Sequence, residues 1–542
     1  MSSEAAAEQQ LPSCIALRSK SNGKFLRYVH GHGEEKYRQL ELSGEDALSL
    51  FTRFDVEPSR LHDGLVHIRC RYNRKYWVAR RHDDDGWIVV AGADEPEEDL
   101  SKPSCTLIKA VPVVSSDDGG RARAAADAGD QPRDQSVTMT FRMVLAGRLQ
   151  QAAAAGKDDD GSGRMSLSGT GTVGSCLCVG RQQQQQVDDD DDGFIIFNLS
   201  NSKRLLPRVV AFKGSNGKYL AARTIQGRNH LVFASDDVGD AAVAHEVVYV
   251  ANDIHGRFRV RNRNLSRLWI RPLNMNWIIL AAGAGSSNDD DLFELLQVGD
   301  DSFALRSTRT IFTPGGGPMA FSDNFCINQT SPAAALMNAL EAASSTLPRE
   351  ALVKVEAAVM HREISDMVYF LDEARVYDRM PVTMAMADAV NDTSAPTTKR
   401  LTISFEETET TQWDATLELT LGYTATMKVG FPKLGLGAQA ELSAEFFGSY
   451  NWGETVVTTV KKAVEYEVTV PPRTKVSVRV MATKATCDVP FGYIQKDTFT
   501  DGRVETRRKQ DGIFTGVNSY NFQFHATEMP LEQRLIMQQH AS

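Results

Sequence analysis

From residue 416 to 431 the chain alternates without a break. Thr416, Glu418, Thr420, Gly422, Thr424, Thr426, Lys428 and Gly430 fall on one side, and Leu417, Leu419, Leu421, Tyr423, Ala425, Met427, Val429 and Phe431 on the other. A period of two is the strand signature, because successive side chains point to opposite faces. The pattern predicts a turn over 432–437, Pro-Lys-Leu-Gly-Leu-Gly. Alternation then resumes, with Ala438, Ala440, Leu442, Ala444 and Phe446 opposite Gln439, Glu441, Ser443 and Glu445. An ordinary strand has about five or six residues, whereas each arm approaches or exceeds the roughly 9–11 tilted residues that cross a bilayer. A single hairpin leaves its edges unpaired in lipid, so spanning requires several copies closed into a barrel. The Leu/Ala/Val/Phe face would then meet lipid and the Glu/Lys/Thr/Ser face water. A long hairpin of a water-soluble sandwich alternates in the same way, with one face on a core. Phe431, Leu434 and Leu436 would lead insertion as an apolar tip, while Gly435 and Gly437 give the turn its freedom. Lys433 would cross with them, at a cost that assembly must offset.

Other alternating runs at 402–405, 465–470, 475–481 and 519–524 extend this pattern into an elongated β module beyond Pro381. Upstream lies an internal repeat. Ile15-Ala-Leu-Arg-Ser-Lys-Ser-Asn22-Gly23-Lys24-Phe25-Leu26 is echoed by Val210-Ala-Phe-Lys-Gly-Ser-Asn216-Gly217-Lys218-Tyr219-Leu220, and the run 66–78 by 258–270, which aligns Trp77 with Trp269. Each is followed by a second tryptophan strand, with Trp87 and Trp277. Two matches in the same order indicate a duplicated domain. Within each copy, short β-runs separated by Asn-Gly, Asp-Gly or Gly-rich turns predict an all-β barrel or sandwich. The expected domains are 11–199, 205–377 and 378–530. Ala, Leu and Met at helical spacing predict one covering helix over 332–345. The Ala/Gly/Asp/Gln/Ser-biased stretches 115–136, 150–174 and 181–193 bury too little apolar surface to order, and are expected to be disordered loops.

At 542 residues the chain exceeds a single core. The net charge of −10 argues against general nucleic-acid binding, and much of it sits in runs such as residues 188–192. No stretch is apolar for the ~18 residues of a membrane helix. The N-terminus has neither the basic start nor the apolar core of a secretory signal. Seven scattered cysteines suit free thiols in a reducing compartment, so a cytoplasmic or nucleocytoplasmic location is expected, with membrane association on assembly. His30-Gly-His32 and Cys176-Leu-Cys178 are too sparse for metal spacing. Without a Gly-x-Ser-x-Gly, Walker or dinucleotide pattern, no enzyme activity, catalytic residue, cofactor or metal is expected.

Two resemblances cover nearly the whole chain. Through Ser-Asn-Gly-Lys-[Phe/Tyr]-Leu, Arg71-Tyr72-Asn73-Arg74-Lys75-Tyr76-Trp77, Ala91-Gly92-Ala93-Asp94-Glu95-Pro96, Arg362-Glu363-Ile364 and Ala374-Arg375-Val376-Tyr377, the duplicated unit resembles the agglutinin domain of amaranthin-like plant lectins. Through Pro381-Val-Thr-Met-Ala385, the hairpin, Phe447-Gly-Ser-Tyr450-Asn-Trp452-Gly-Glu454 and Gly512-Ile-Phe-Thr-Gly-Val-Asn-Ser-Tyr520, the remainder resembles an aerolysin-type β-pore-forming module. The resemblance implies two β-trefoil lectin domains followed by an elongated aerolysin-like antiparallel β module. It implies a plant defence lectin that binds galactose/N-acetylgalactosamine-type glycans, in amaranthin at a contact between two subunits. The third module would form a homo-oligomer and insert its hairpin into a membrane. The alternative is a non-pore-forming nucleocytoplasmic stress lectin with a structural or dimerising β module.

Sugars present apolar C–H faces and a rim of hydroxyls, which call for an aromatic plate beside Asn, Asp or Arg. Asn73, Tyr76, Trp77, His82 and Trp87 supply these types in the first copy and match the family motif, although strand tryptophans also serve as core. The second copy departs, with Leu265 aligned to Asn73 and Leu268 to Tyr76. For the hairpin, the expected membrane-facing residues are Leu421, Tyr423, Met427, Val429, Phe431, Leu434, Leu436, Ala440, Leu442 and Phe446.

Overall fold

The structure, a computed structural model, describes residues 11–30, 39–82, 86–112, 138–144, 162–167, 177–179, 193–200, 205–250, 256–272, 275–281, 290–299, 302–308, 310–312, 318–321, 324–331, 336–415 and 424–531. Among the described residues all regular structure is strand or short 3-10 turn, so the fold is all-β. The described residues of Met1–Arg362 with Lys496–Thr506 form one compact unit; those of Glu363–Ala415, Thr424–Gln495 and Arg507–Ser542 form a second.

In the first unit each sequence copy builds its own twelve-stranded sheet. Both sheets bring their first and last strands together. Cys14–Ser19 pairs with Phe194–Asn198, and Val209–Gly214 with Leu352–Ala357. Such closure leaves few free edges on which another chain could template.

The repeated Asn-Gly-Lys turns show why the copies share a sequence signature. Asn22 accepts at 2.9 Å from the Lys24 amide and donates at 3.4 Å to the Leu42 carbonyl, across Gly23 at φ 69°. Asn216 accepts at 3.1 Å from the Lys218 amide and donates at 3.1 Å to Phe233, across Gly217 at φ 76°. The asparagine supplies both halves of a turn clamp, and the left-handed residue between suits glycine.

Each copy centres on one aligned tryptophan. Trp77 and Trp269 are both fully buried; Trp77 meets Phe54 edge-on at 4.9 Å, and Trp269 meets Phe212, His245 and Phe293 at 5.5, 5.0 and 5.6 Å. The Trp269 indole N–H donates to His245 Nδ1 at 3.3 Å, so the imidazole proton sits on Nε2, 3.0 Å from the Leu220 carbonyl. Burial pushes the His245 pKa down to about 4, against the smaller opposing pull of that carbonyl. The folded value lies below the unfolded one, so this contribution is intact above pH 6.5 and is lost as pH falls toward 4. The loss amounts to about 3 kcal/mol at most. Urea denaturation across this window should show a steeper decline for the wild type than for His245→Phe.

Two expectations are corrected. The predicted helix over 332–345 is, where described, the strand Leu336–Ser344, which pairs with Asn324–Ser331 and places Ile327 opposite Glu341. Alanine's helix preference is worth less than about 1 kcal/mol per residue, and the ladder that completes the second sheet outweighs it. The predicted loop 150–174 contains the strand Ser162–Leu167, which pairs with Thr138–Val144 and Leu177–Val179. The rest of that stretch, 115–136, and all of 181–193 except Gly193 lie outside the described residues. The third sheet takes in 359–369 and 375–391, long strands that pair into it.

That third sheet comprises β1 (Val359–Tyr369), β2 (Arg375–Asn391), β3 (Thr397–Ala415), β4 (Thr424–Leu434), β5 (Ala440–Asn451), β6 (Thr455–Val470), β7 (Thr474–Phe499) and β8 (Val504–Pro530). Their order is β5-β4-β1-β7-β8-β3-β6, with β2 also on β7. The four alternating runs outside the hairpin fall in β3, β6, β7 and β8, which reach 16 to 27 residues. Alternation places Val476, Val478 and Val480 inward, where they form a core with Ile403, Phe405, Val468 and Val470.

Candidate functional site

The hairpin is β4 and β5, with Thr424 opposite Asn451 and Leu434 opposite Ala440. Ala425, Met427 and Val429 are buried, while Thr424, Thr426 and Lys428 are exposed. A bulge between Gly430 and Phe431 then shifts the alternation by one, so Pro432 and Leu434 take the buried positions. Strict alternation cannot foresee this, since a bulge inserts one unpaired residue. The turn therefore comes later than predicted, at Leu436–Ala438, with Gly437 at φ 73°.

Two sets of contacts hold the hairpin. The first is aromatic. Trp413, fully buried on β3, lies 6.1 Å from Phe431, 5.5 Å from Phe446, 5.0 Å from Tyr450 and 5.5 Å from Phe514. Its indole N–H donates to the Tyr369 hydroxyl at 2.8 Å, and its amide to the Tyr450 hydroxyl at 3.0 Å. Burial pushes the Tyr450 phenol up to about 12 and raises Tyr369 as well, so both remain protonated at any physiological pH.

The second set is polar and grips the turn. Lys433 Nζ lies 2.5 Å from Glu409, a largely buried carboxylate. The Asn518 amide accepts from the Leu434 N–H and donates to its carbonyl, both at 3.0 Å, and Asn521 accepts from the Gly437 N–H at 3.2 Å. Beside them Glu407, 1% exposed, takes the Ser519 N–H at 2.6 Å and Lys462 at 2.5 Å. These positions lie far apart in sequence, and only the fold reveals them as one clasp.

Of the predicted membrane-facing residues, Met427, Val429 and Leu434 are buried, and Phe431, Ala440 and Phe446 are partly buried. Leu442 stands 58% exposed. Leu436 is in the turn, with its side chain outside the described set, and Leu421 and Tyr423 lie outside the described residues.

The predicted sugar residues spread over the turn at 73 and two paired strands. Asn73 is fully buried, accepting at 3.1 Å from the Lys75 amide and donating at 3.1 Å to the Ala91 carbonyl. This repeats the clamp of Asn22 and Asn216. Trp77 is core, and Tyr76, 4% exposed, donates its hydroxyl to Glu57 at 2.8 Å. In this conformation none of the three offers a ligand appreciable surface. Trp87 is half-buried on the strand Gly86–Ala93, opposite Arg81. His82 is paired with Gly86, and its side chain lies outside the described set.

Among the described residues no three His, Cys, Asp or Glu side chains group to hold a metal ion, and no helix is long and apolar enough to cross a membrane.

Comparison with known proteins divides the chain along the same lines. The Agglutinin domain model matches residues 9–118 and 205–303, and the Aerolysin toxin model matches 360–499. Natterin-3 of Thalassophryne nattereri is 31% identical over 157 residues, which are 29% of this chain and 42% of natterin-3. Natterin-1 of the same organism is 25% identical over 160 residues, 30% of this chain and 44% of its own length. The chain thus spans about two-fifths of the curated relatives it matches. The crystal structure of lamprey immune protein aligns with 60% of this chain and 100% of its own at 12% identity, with a TM-score of 0.27; a score that low adds nothing to the assignment. The chain carries an agglutinin domain in duplicate, followed by an aerolysin-type domain.

Proposed function

We propose that this protein is a plant-defence-type lectin of the amaranthin-like kind. Its agglutinin domains dock on galactose/N-acetylgalactosamine-type glycans, and its aerolysin-type module assembles into a homo-oligomeric β-barrel pore. The observation that carries the proposal is the hairpin itself: two long arms, the first of which buries Ala425, Met427 and Val429 while Thr424, Thr426 and Lys428 face water. Released and closed into a ring, the same strands would turn the covered face to lipid and the wet face to a lumen. Several docked chains raise the local concentration of modules at a surface, which favours a ring without new contacts at each site. Each agglutinin copy is read as a β-trefoil, supported by its twelve strands and by the meeting of first and last strands. The protein is proposed to be non-enzymatic and to reside in the cytoplasm or nucleocytoplasm until cell damage releases it.

The test is dye release from vesicles carrying galactose-terminated glycolipid, with and without free galactoside, alongside electron microscopy of the same vesicles. The proposal expects leakage, suppression by galactoside and ring-shaped assemblies. Decorated but intact vesicles would instead indicate a binding protein with a structural or dimerising β module, and sugar released from the glycolipid would indicate an enzyme.

A further inference from the structure

Lys433 sits between two carboxylates that belong to different parts of the third sheet. In the stored hairpin its ammonium lies 2.5 Å from Glu409 on β3 and 5.4 Å from the centre of the Phe431 ring. Glu409 is 7% exposed, so the pair is well shielded from water. The other carboxylate belongs to Glu441, which stands directly opposite Lys433 in the β4–β5 register. Residues opposite one another in an antiparallel pair share a face, with Cβ atoms about 4.5–5.5 Å apart. Glu441 is nevertheless exposed, and it makes no hydrogen bond or ion pair among the described residues. Its carboxylate lies against the turn, where a Cβ on Gly435 would come within 2.8 Å of Glu441 Cδ. Glycine leaves that space open. From there, rotation about its own side-chain bonds is enough for Glu441 to meet the lysine across the ladder.

The two carboxylates part company once the hairpin moves. Glu409 stays on β3, whereas Glu441 travels with Lys433 because the ladder holds them opposite each other. An unpaired lysine carried into hydrocarbon lowers the inserted population by more than about tenfold per chain. A carboxylate on the facing strand removes that bare charge without calling on any residue outside the hairpin.

We propose that Lys433 changes partners when the hairpin leaves its seat, exchanging Glu409 of β3 for Glu441 of β5, so that it crosses the membrane as half of a travelling ion pair. Glu409 is then the partner of storage and Glu441 the partner of passage. The exchange rests on the reading of the hairpin as the membrane-inserting element and adds to it the residue that makes Lys433 tolerable there.

Dye release from the glycolipid vesicles by full-length variants tests the exchange. Glu441→Gln should melt like the wild type, because Glu441 has no partner in the stored form, yet release dye at least about tenfold more slowly. Lys433→Gln combined with Glu441→Gln should restore release, because no bare charge then crosses. Glu409→Gln combined with Glu441→Gln loses the same grip on the turn but keeps the lysine, and should stay slow. Hydrogen exchange follows the stored form. Glu409→Gln should speed exchange of the amides between residues 431 and 440 about tenfold, and Glu441→Gln should leave it unchanged. Wild-type release by Glu441→Gln, a slow Lys433→Gln, Glu441→Gln double variant or a fast Glu409→Gln, Glu441→Gln double variant would each overturn the exchange and leave the pore reading standing. Faster hydrogen exchange in Glu441→Gln would overturn it too, by showing that Glu441 already holds the stored hairpin. A wild type that releases no dye would remove the pore reading and the exchange together.

Discussion

Leu442→Arg is expected to fold and melt like the wild type and to release no dye from glycolipid vesicles. Leu442 is 58% exposed and opposite Pro432 on the hairpin, and surface substitutions away from special contacts change stability by roughly 0.5 kcal/mol or less. In the inserted barrel the same position would face lipid, where an arginine near the midplane costs roughly 2–4 kcal/mol per chain. A ring repeats that cost in every subunit, so the small effect in water becomes a large one in the membrane. Leu442→Phe, which keeps the face apolar, should retain leakage. Undiminished leakage by the arginine variant would remove the apolar face of β5 from the lipid-facing surface.

Trp413→Ala should have the largest effect on the water-soluble form. The indole fills the space between Phe431 and Phe446 of the hairpin and Phe514 of β8, and it anchors the hydroxyls of Tyr369 and Tyr450. Truncating a fully buried tryptophan costs about 3–5 kcal/mol, and here the cavity opens under the hairpin. Chemical denaturation should show a loss of that size in the second unit, and limited proteolysis should cut first between residues 430 and 447. A change below about 1 kcal/mol, or cleavage elsewhere, would mean that other contacts keep the hairpin in place.

Much of this was legible in the sequence, for reasons that separate particular residues. The alternation of Ala425, Met427 and Val429 against Thr424, Thr426 and Lys428 survives folding because a strand has one period and one buried face. It fails at Phe431, where a bulge shifts the register and carries Pro432 to Leu434 out of the predicted turn and into the strand. The helix expected from Ala and Leu spacing near residue 340 fails because short apolar runs fit both periods, and the need to complete a sheet decides between them. The duplication was readable from Ser-Asn-Gly-Lys and the aligned tryptophans. Asn73, expected at a sugar site, also clamps backbone, and its Asn-Arg-Lys repeats the Asn-Gly-Lys turns at Asn22 and Asn216. The clasp at the turn could not be read at all. Glu409, Lys433 and Asn518 converge from three strands, and nothing local to any of them announces the others.

Leakage from vesicles by the Leu434→Cys, Asn518→Cys double variant, with its two thiols joined by oxidation or by a short thiol-reactive linker, bears most directly on the stored hairpin. The Asn518 side chain already contacts both backbone polar atoms of Leu434, so the join fastens the turn where it rests. The joined protein should bind glycan-bearing vesicles and leave them sealed, and cleaving the join with reductant or a cleavable linker should restore leakage to the level of the unjoined variant. Equal leakage before and after cleavage would show that membranes are breached without the hairpin leaving its place.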